Sequence, residues 1–309
     1  MGRFELAGDL GRRTPVEHAR REPVTAGGLG HVGREAGVPY SGPADRGTLF
    51  AAGRSRSGAR VRAIVVALSG PSGSGKSTVA AILARRFGWA RVDEAFDRIR
   101  PRPSLKFASQ DGLLALELRL LEEEARRFGE ARALALAGRS VVADTSFLDP
   151  VTYTAGLLVL GLATPASFRT VVDRAQALAR QRRLGLPDLT ARLSVAATTR
   201  RSRAAGDPAR HPRAFRDRHE SVGRVETALL VPWWRGALAG RMRVVRATAP
   251  AGSIAERIRR TASHTAPARD PSGAAARALE ALSRLPAIRL ALDRSGNLKK
   301  GTPSPRPPR

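Results

Sequence analysis

Residues 68–78 read LSGPSGSGKST, and no other stretch constrains the fold so tightly. The run before it, VRAIVVAL at 61–68, is apolar and β-branched enough for a buried parallel strand, and a helical pattern follows from Ser77 to Phe87. Between them the spacing G-x-x-x-x-G-K-[ST] is filled by Gly70, Gly75, Lys76 and Ser77. Glycine lets such a turn adopt positive φ and bring backbone N–H groups close around an anion. The start of the following helix adds its partial positive charge at the same point. Lysine is scarce here: Lys76, Lys106, Lys299 and Lys300 are the only lysines among 54 basic residues. A chain that uses arginine nearly everywhere has placed lysine in this loop.

Gly70, Pro71, Ser72, Gly73, Ser74, Gly75, Lys76, Ser77 and Thr78 are therefore expected to hold the phosphates of ATP. Lys76 can reach the β- and γ-phosphates, and the Ser77 hydroxyl can ligate Mg²⁺.

Composition narrows the chemistry. A chain of 309 residues can bury one core of ordinary domain size and still carry extensions. The absence of cysteine removes disulfides, thiolate metal sites and cysteine nucleophiles together. No apolar run approaches the roughly 20 residues of a membrane span, so a cytoplasmic location is expected. The net charge of +27 is spread along the chain without a polybasic tract, so a nucleic-acid partner is thinkable but not favoured.

Further strands are expected at 90–92, 140–144, 189–195 and 241–245. Helices are expected at 111–137, from Asp149-Pro150 onward, at 165–184, through an arginine-rich region to about 230, and from Ser253. Strands alternating with helices imply an α/β fold, a doubly wound parallel sheet. Residues 1–58, rich in Gly, Arg and Pro, and the basic segment 263–309 show no sustained apolar period and are expected to be poorly ordered extensions of a domain spanning 59–262. Within the first of these, GVPYSGPADRGTLFAAGR at 37–54 resembles the opening of the carboxyltransferase-like subunits of 5-oxoprolinase and allophanate hydrolase. Fewer than thirty residues cannot build that fold.

Over residues 60–260 the chain resembles the P-loop kinases of small metabolites, the nucleoside monophosphate kinase and deoxynucleoside kinase group. VVADTSFLDPVTY resembles the third-strand acidic motif of thymidylate kinases, and PDLTARLSV is similar to the strand that precedes their lid. The resemblance implies a P-loop NTPase kinase fold with an arginine-rich lid, and an ATP-dependent enzyme that passes the γ-phosphate to a small hydroxyl or phosphate acceptor. It assigns Arg200, Arg201 and Arg203 to the lid, Arg200 and Arg203 as the phosphoryl clamp, and Asp144 to Mg²⁺ beside Ser77. In RVDEAFDRIRP it offers Asp93, Glu94 and Asp97 as the proton acceptor, with Glu94 favoured and Asp93 next. Relatives usually carry arginine after the third-strand acid, where this chain has Thr145, which leaves nucleoside specificity open. His211 and His219 are read as structural or surface residues, and Trp233-Trp234 as core. A polynucleotide-end kinase and an ATP-sensing regulator without turnover are the rival readings.

Overall fold

The computed structural model describes residues 62–100, 110–205, 213–238 and 240–297. The 37–54 stretch and His211 lie outside these residues, and the side chain of His219 is not described. Strands β1 (Val65–Ser69), β2 (Ala90–Val92), β3 (Val141–Asp144), β4 (Leu189–Ser194) and β5 (Met242–Arg246) form one parallel sheet in the order β2-β3-β1-β4-β5. The first strand starts later than the apolar run that announced it, because its pairing begins where Val65 meets Val141.

The helices, in chain order, are α1 (Lys76–Phe87), α2 (Ala95–Arg98), α3 (Gln110–Leu136), α4 (Asp149–Val159), α5 (Pro165–Arg180) and α6 (Ala197–Ala205). They continue as α7 (Arg213–Val225), a π-helical turn (Glu226–Leu230), α8 (Val231–Ala237), α9 (Ala251–Ser263), α10 (Pro271–Ser283) and α11 (Pro286–Asn297).

Strand β1 is buried on both faces, which is why it reads as a continuous apolar run. Val66 and Leu68 pack with Val79, Leu83, Ile254 and Ile258 of α1 and α9. Val65 and Ala67 belong to the opposite layer, with Leu121, Phe128, Val171 and Leu178 from α3 and α5. Each such aliphatic side chain contributes about 1.5–3 kcal/mol on burial. Trp233 and Trp234 join this second layer edge to face, as core residues.

Residues 263–297 are not the poorly ordered extension that their composition suggested. Asp270 caps α10 by accepting from the Gly273 N–H at 2.9 Å, and Ala275, Ala278, Leu279 and Leu282 form a buried stripe against the same layer as α5 and α8. The stripe is half alanine, which hides its apolar period in a composition-based reading while permitting close helix packing. Buried Asp188, just before β4, accepts from the Val65 N–H at 2.7 Å and from the Ala268 N–H at 2.6 Å. One carboxylate therefore joins the central strand to the segment leading into α10. The described residues all belong to one compact unit.

The chain runs from β1 to one side of the sheet for β2 and β3, then to the other for β4 and β5. The crevice at such a reversal, outside the carboxyl ends of the strands, is where parallel α/β sheets bind ligands. The glycine-rich loop emerges there.

Candidate active site

The loop between β1 and α1 wraps its own lysine. Lys76 Nζ donates to the Gly70 carbonyl at 2.9 Å, and α1 starts at this residue with Gly75 at φ 94° before it. A Cβ on Gly70 would lie 2.5 Å from the Leu193 carbonyl oxygen of β4, so only glycine fits against that strand. At Gly73 a Cβ would stand 3.0 Å from the Arg200 carbonyl oxygen, because α6 crosses directly over the loop. Arg203 on the same helix donates through Nη1 to the Gly73 carbonyl at 3.4 Å. The structure thus brings Arg200 and Arg203 to the phosphate loop, while Arg201 turns away to Glu220 at 2.9 Å.

Like charges crowd this side. Burial lowers the affinity of Arg200 for its proton; Glu220, next in effect, opposes it, and Arg201, Arg192 and Arg224 each push in the same direction as burial. Its Nε is buried without a hydrogen-bond partner, as is the Ser74 hydroxyl in the loop. Orphaned donors and mutually repelling guanidiniums around a glycine-rich turn suit an anion that brings acceptor oxygens.

Asp144 ends β3 directly beside Leu68 of β1. Its side chain is buried; Oδ2 accepts from Arg91 Nη2 at 3.4 Å, and Oδ1 has no partner. A buried carboxylate oxygen without a donor, next to the strand that feeds the loop, fits a hard divalent cation such as Mg²⁺. Among the described residues no group of three His, Asp or Glu is arranged to hold a metal, so such an ion would take Asp144 and Ser77 and complete its shell with phosphate oxygens and water.

The residue after Asp144 is strained. Thr145 has φ 90°, uncommon for a β-branched residue. An arginine does stand against the third-strand acid, but it comes from α3: the fully buried Arg127 donates through Nη1 to Thr145 Oγ1 at 3.2 Å and through Nη2 to the Asp144 carbonyl at 2.7 Å. The same guanidinium pairs with Glu124 one turn before it.

Beyond the strand ends the sign of the charge reverses. Asp93 points out, 60 % exposed, and pairs with Arg91 at 2.8 Å. Glu94 is half-buried, and its charge is felt by both Glu124 and Asp149. Asp97 stays on α2, where its carbonyl accepts from Arg100. Asp149, at the start of α4, is held well above the usual carboxylate range by burial and by the negative charges of Glu226, Glu124 and Glu94, while Lys76 acts against them. Glu124 is pushed up to about 7, chiefly by burial, despite its Arg127 partner. Glu117 on α3 is pushed up to about 8 by burial and by Asp149. Burial also raises the Tyr153 hydroxyl, with Glu117 next in effect.

Sequence reasoning missed Glu117, Glu124, Arg127, Asp149, Arg192 and Glu226 as members of this site. A signal was present for two of them: Glu117 and Glu124 interrupt the face of α3 on which Leu113, Leu116 and Leu121 are buried. Arg192, opposite Ser69 in the β1–β4 register, bonds Glu226 at 3.3 Å and so links the strand beside the loop to the π-helical turn.

A family model described as an AAA domain matches residues 65–183, the span from β1 through α5. Two solved structures of deoxyadenosine kinase from M. mycoides superpose with a TM-score of 0.52 at 15% identity. One has the products dCMP and a flexible dCDP bound, the other dATP. Each superposition covers 64% of this chain, and 97% and 98% of the respective kinase. The chain therefore has the P-loop kinase fold. A 33-residue stretch is 58% identical to the cytidylate kinase of Azotobacter vinelandii, and a 34-residue stretch is 53% identical to that of Pseudomonas savastanoi pv. phaseolicola. Each covers 11% of this chain, which spans only 14% and 15% of those relatives. Among the described residues no helix is long and apolar enough to cross a membrane.

Proposed function

We propose that the chain is an ATP-dependent kinase that transfers the γ-phosphoryl group to a hydroxyl of a small molecule. The observation that carries this reading is Glu94, a half-buried carboxylate two residues past β2 whose charge acts on Asp149, on which Lys76 also acts. The glycine-rich loop and Lys76 would hold the β- and γ-phosphates, with Arg200 and Arg203 closing over the transferring group. Mg²⁺ between Ser77 and Asp144 would neutralise charge on the phosphate oxygens. The acceptor oxygen attacks the γ-phosphorus, the bond from that phosphorus to the β–γ bridging oxygen breaks, and the acceptor's proton passes to the Glu94 carboxylate.

A phosphate acceptor would need no base, and an ATP sensor would need none either. Measurement of kcat on Glu94→Gln and Asp93→Asn separates these cases. Glu94→Gln is expected to lose at least about a hundredfold in kcat with ATP affinity unchanged, and Asp93→Asn to stay within a few fold of wild type. Both variants near wild type would retire the hydroxyl mechanism.

A further inference from the structure

Arg127 on α3 is among the largest fully buried side chains of the fold. Its guanidinium pairs with Glu124 and lies over the Phe147 ring, 5.5 Å from the centroid. A buried pair of this kind is often no more stabilising than apolar side chains of the same volume, and among the described residues Arg127 Nε has no hydrogen-bond partner. Pairing and packing therefore do not account for it. Nη1 also donates to Thr145 Oγ1 at 3.2 Å and Nη2 to the Asp144 carbonyl at 2.7 Å, so one rigid fork grips two consecutive buried residues at the end of β3. The second of them needs the grip: Thr145 stands at φ 90°, which a β-branched residue keeps only where its surroundings over-determine it. The first carries the carboxylate whose Oδ1 is buried without a partner among the described residues.

From this fork we infer that Arg127 is a positioning residue of the metal site: it holds the turn after β3 at positive φ and so fixes the Asp144 carboxylate that would take Mg²⁺ with Ser77. This rests on the kinase reading above and adds to it a residue of α3 that acts through Asp144. A carboxylate at the end of a strand can shift by rotating its own side chain or by tilting with the peptide that follows it. Arg91 restrains the side chain, at 3.4 Å from Oδ2, and Arg127 restrains the peptide. Groups that ligate a metal lose affinity for it when the hydrogen bonds that orient them are removed. Glu124 and the Phe147 ring fix Arg127 in turn, one by its charge and the other by its face. Lysine at this position would keep a charge opposite Glu124, but one ammonium is not a planar fork and cannot hold both residues in the same way.

The test measures the affinity of the full chain for a non-hydrolysable ATP analogue by calorimetry, once with Mn²⁺ and once in EDTA. The ratio of the two affinities reports what the protein adds by holding the metal, and Asp144→Asn sets its lower limit. Arg127→Lys should lower the ratio by about tenfold, the smaller end of what a lost orienting hydrogen bond costs a metal site, while the affinity in EDTA stays nearly unchanged. A merely structural loss would weaken both arms alike and leave the ratio where it was. Adding Thr145→Gly to Arg127→Lys should restore most of the ratio, because glycine takes φ 90° without outside help, whereas Thr145→Ala, still strained, should restore none. If Arg127→Lys does not fold, Arg127→Met with Glu124→Gln, which removes both partners of the pair at similar volume, is read in the same way. A wild-type ratio in a folded Arg127 variant overturns the inference, and so does equal rescue, or none, by glycine and alanine. Failure of the wild-type chain to bind the ATP analogue in either arm would instead overturn the kinase reading beneath it.

Discussion

The two halves of the cleft are built from opposite materials. Around the glycine-rich loop, Arg200, Arg201, Arg192 and Arg224 repel one another and leave donors unsatisfied. Across from it, Glu226, Glu124 and Glu94 raise the Asp149 carboxyl, Asp149 raises that of Glu117, and Glu117 Oε2 is left without a donor. The two groups meet directly in the ion pair of Arg192 with Glu226 at 3.3 Å. On the arginine side an anionic ligand would relieve the crowding, whereas on the acidic side burial already favours the neutral carboxyls. The difference teaches that charge in this cleft is sorted by the side of the phosphoryl group that it faces.

The contrast can be tested most severely at Lys76, where the two halves meet. Lys76→Ala should lower turnover by about a thousandfold or more and leave the melting curve near that of wild type, because the side chain is a loop cation outside the core. Asp188→Ala serves as the control in which the fold fails but the charges of the cleft do not change. Orphaning the Val65 and Ala268 N–H groups should cost about 3–5 kcal/mol in urea denaturation, and a fragment ending at 262, stripped of α10, should be destabilised too.

Arg203→Ala should reduce kcat by about ten- to a hundredfold, less than Lys76→Ala, since Arg200 remains over the loop. The smallest effect is expected on the acidic side. Glu117 and Glu124 have folded-state pKa values above the ordinary carboxyl value of 4.5, at about 8 and about 7. Between roughly pH 5 and 8 the folded chain keeps protons that the unfolded chain has released, so stability should fall as pH rises through that window. Glu117→Gln should flatten part of this decline and be more stable than wild type at pH 8.5, with no advantage at pH 4.5.

The phosphate half was legible in the sequence because its function is encoded by backbone: a glycine spacing, one lysine, and a strand before a helix. Asp144 could be read for the same reason, as the acid that ends an apolar strand. The acceptor half was not legible, because its members come from β2, α3, α4 and the π-helical turn and meet only in three dimensions. Asp149 looked like a helix start, which it also is. Glu117 and Glu124 looked like ordinary helix residues until their burial was known. At Asp93 and Glu94 adjacent identities were visible, but the side to which each points was not. Residues 263–297 were misread for a different reason: the alanines of α10 at helical spacing carry little weight in composition, yet they pack closely against α5.

The π-helical turn at Glu226–Leu230 separates the arginine-bearing α7 from the tryptophan-bearing α8 within one uninterrupted helical rod. Such a turn holds one residue more than an α-helical one, and each residue of an α-helix advances the side chains by about 100°. The tryptophans are anchored in the core, so the angular setting of the arginine segment depends on that one surplus residue. Seen as a linkage, the turn is a phase shifter: removal of a single residue from it would leave composition, charge and helix length almost untouched, yet rotate the Glu226 carboxylate and the α7 arginines by about a quarter turn around the rod.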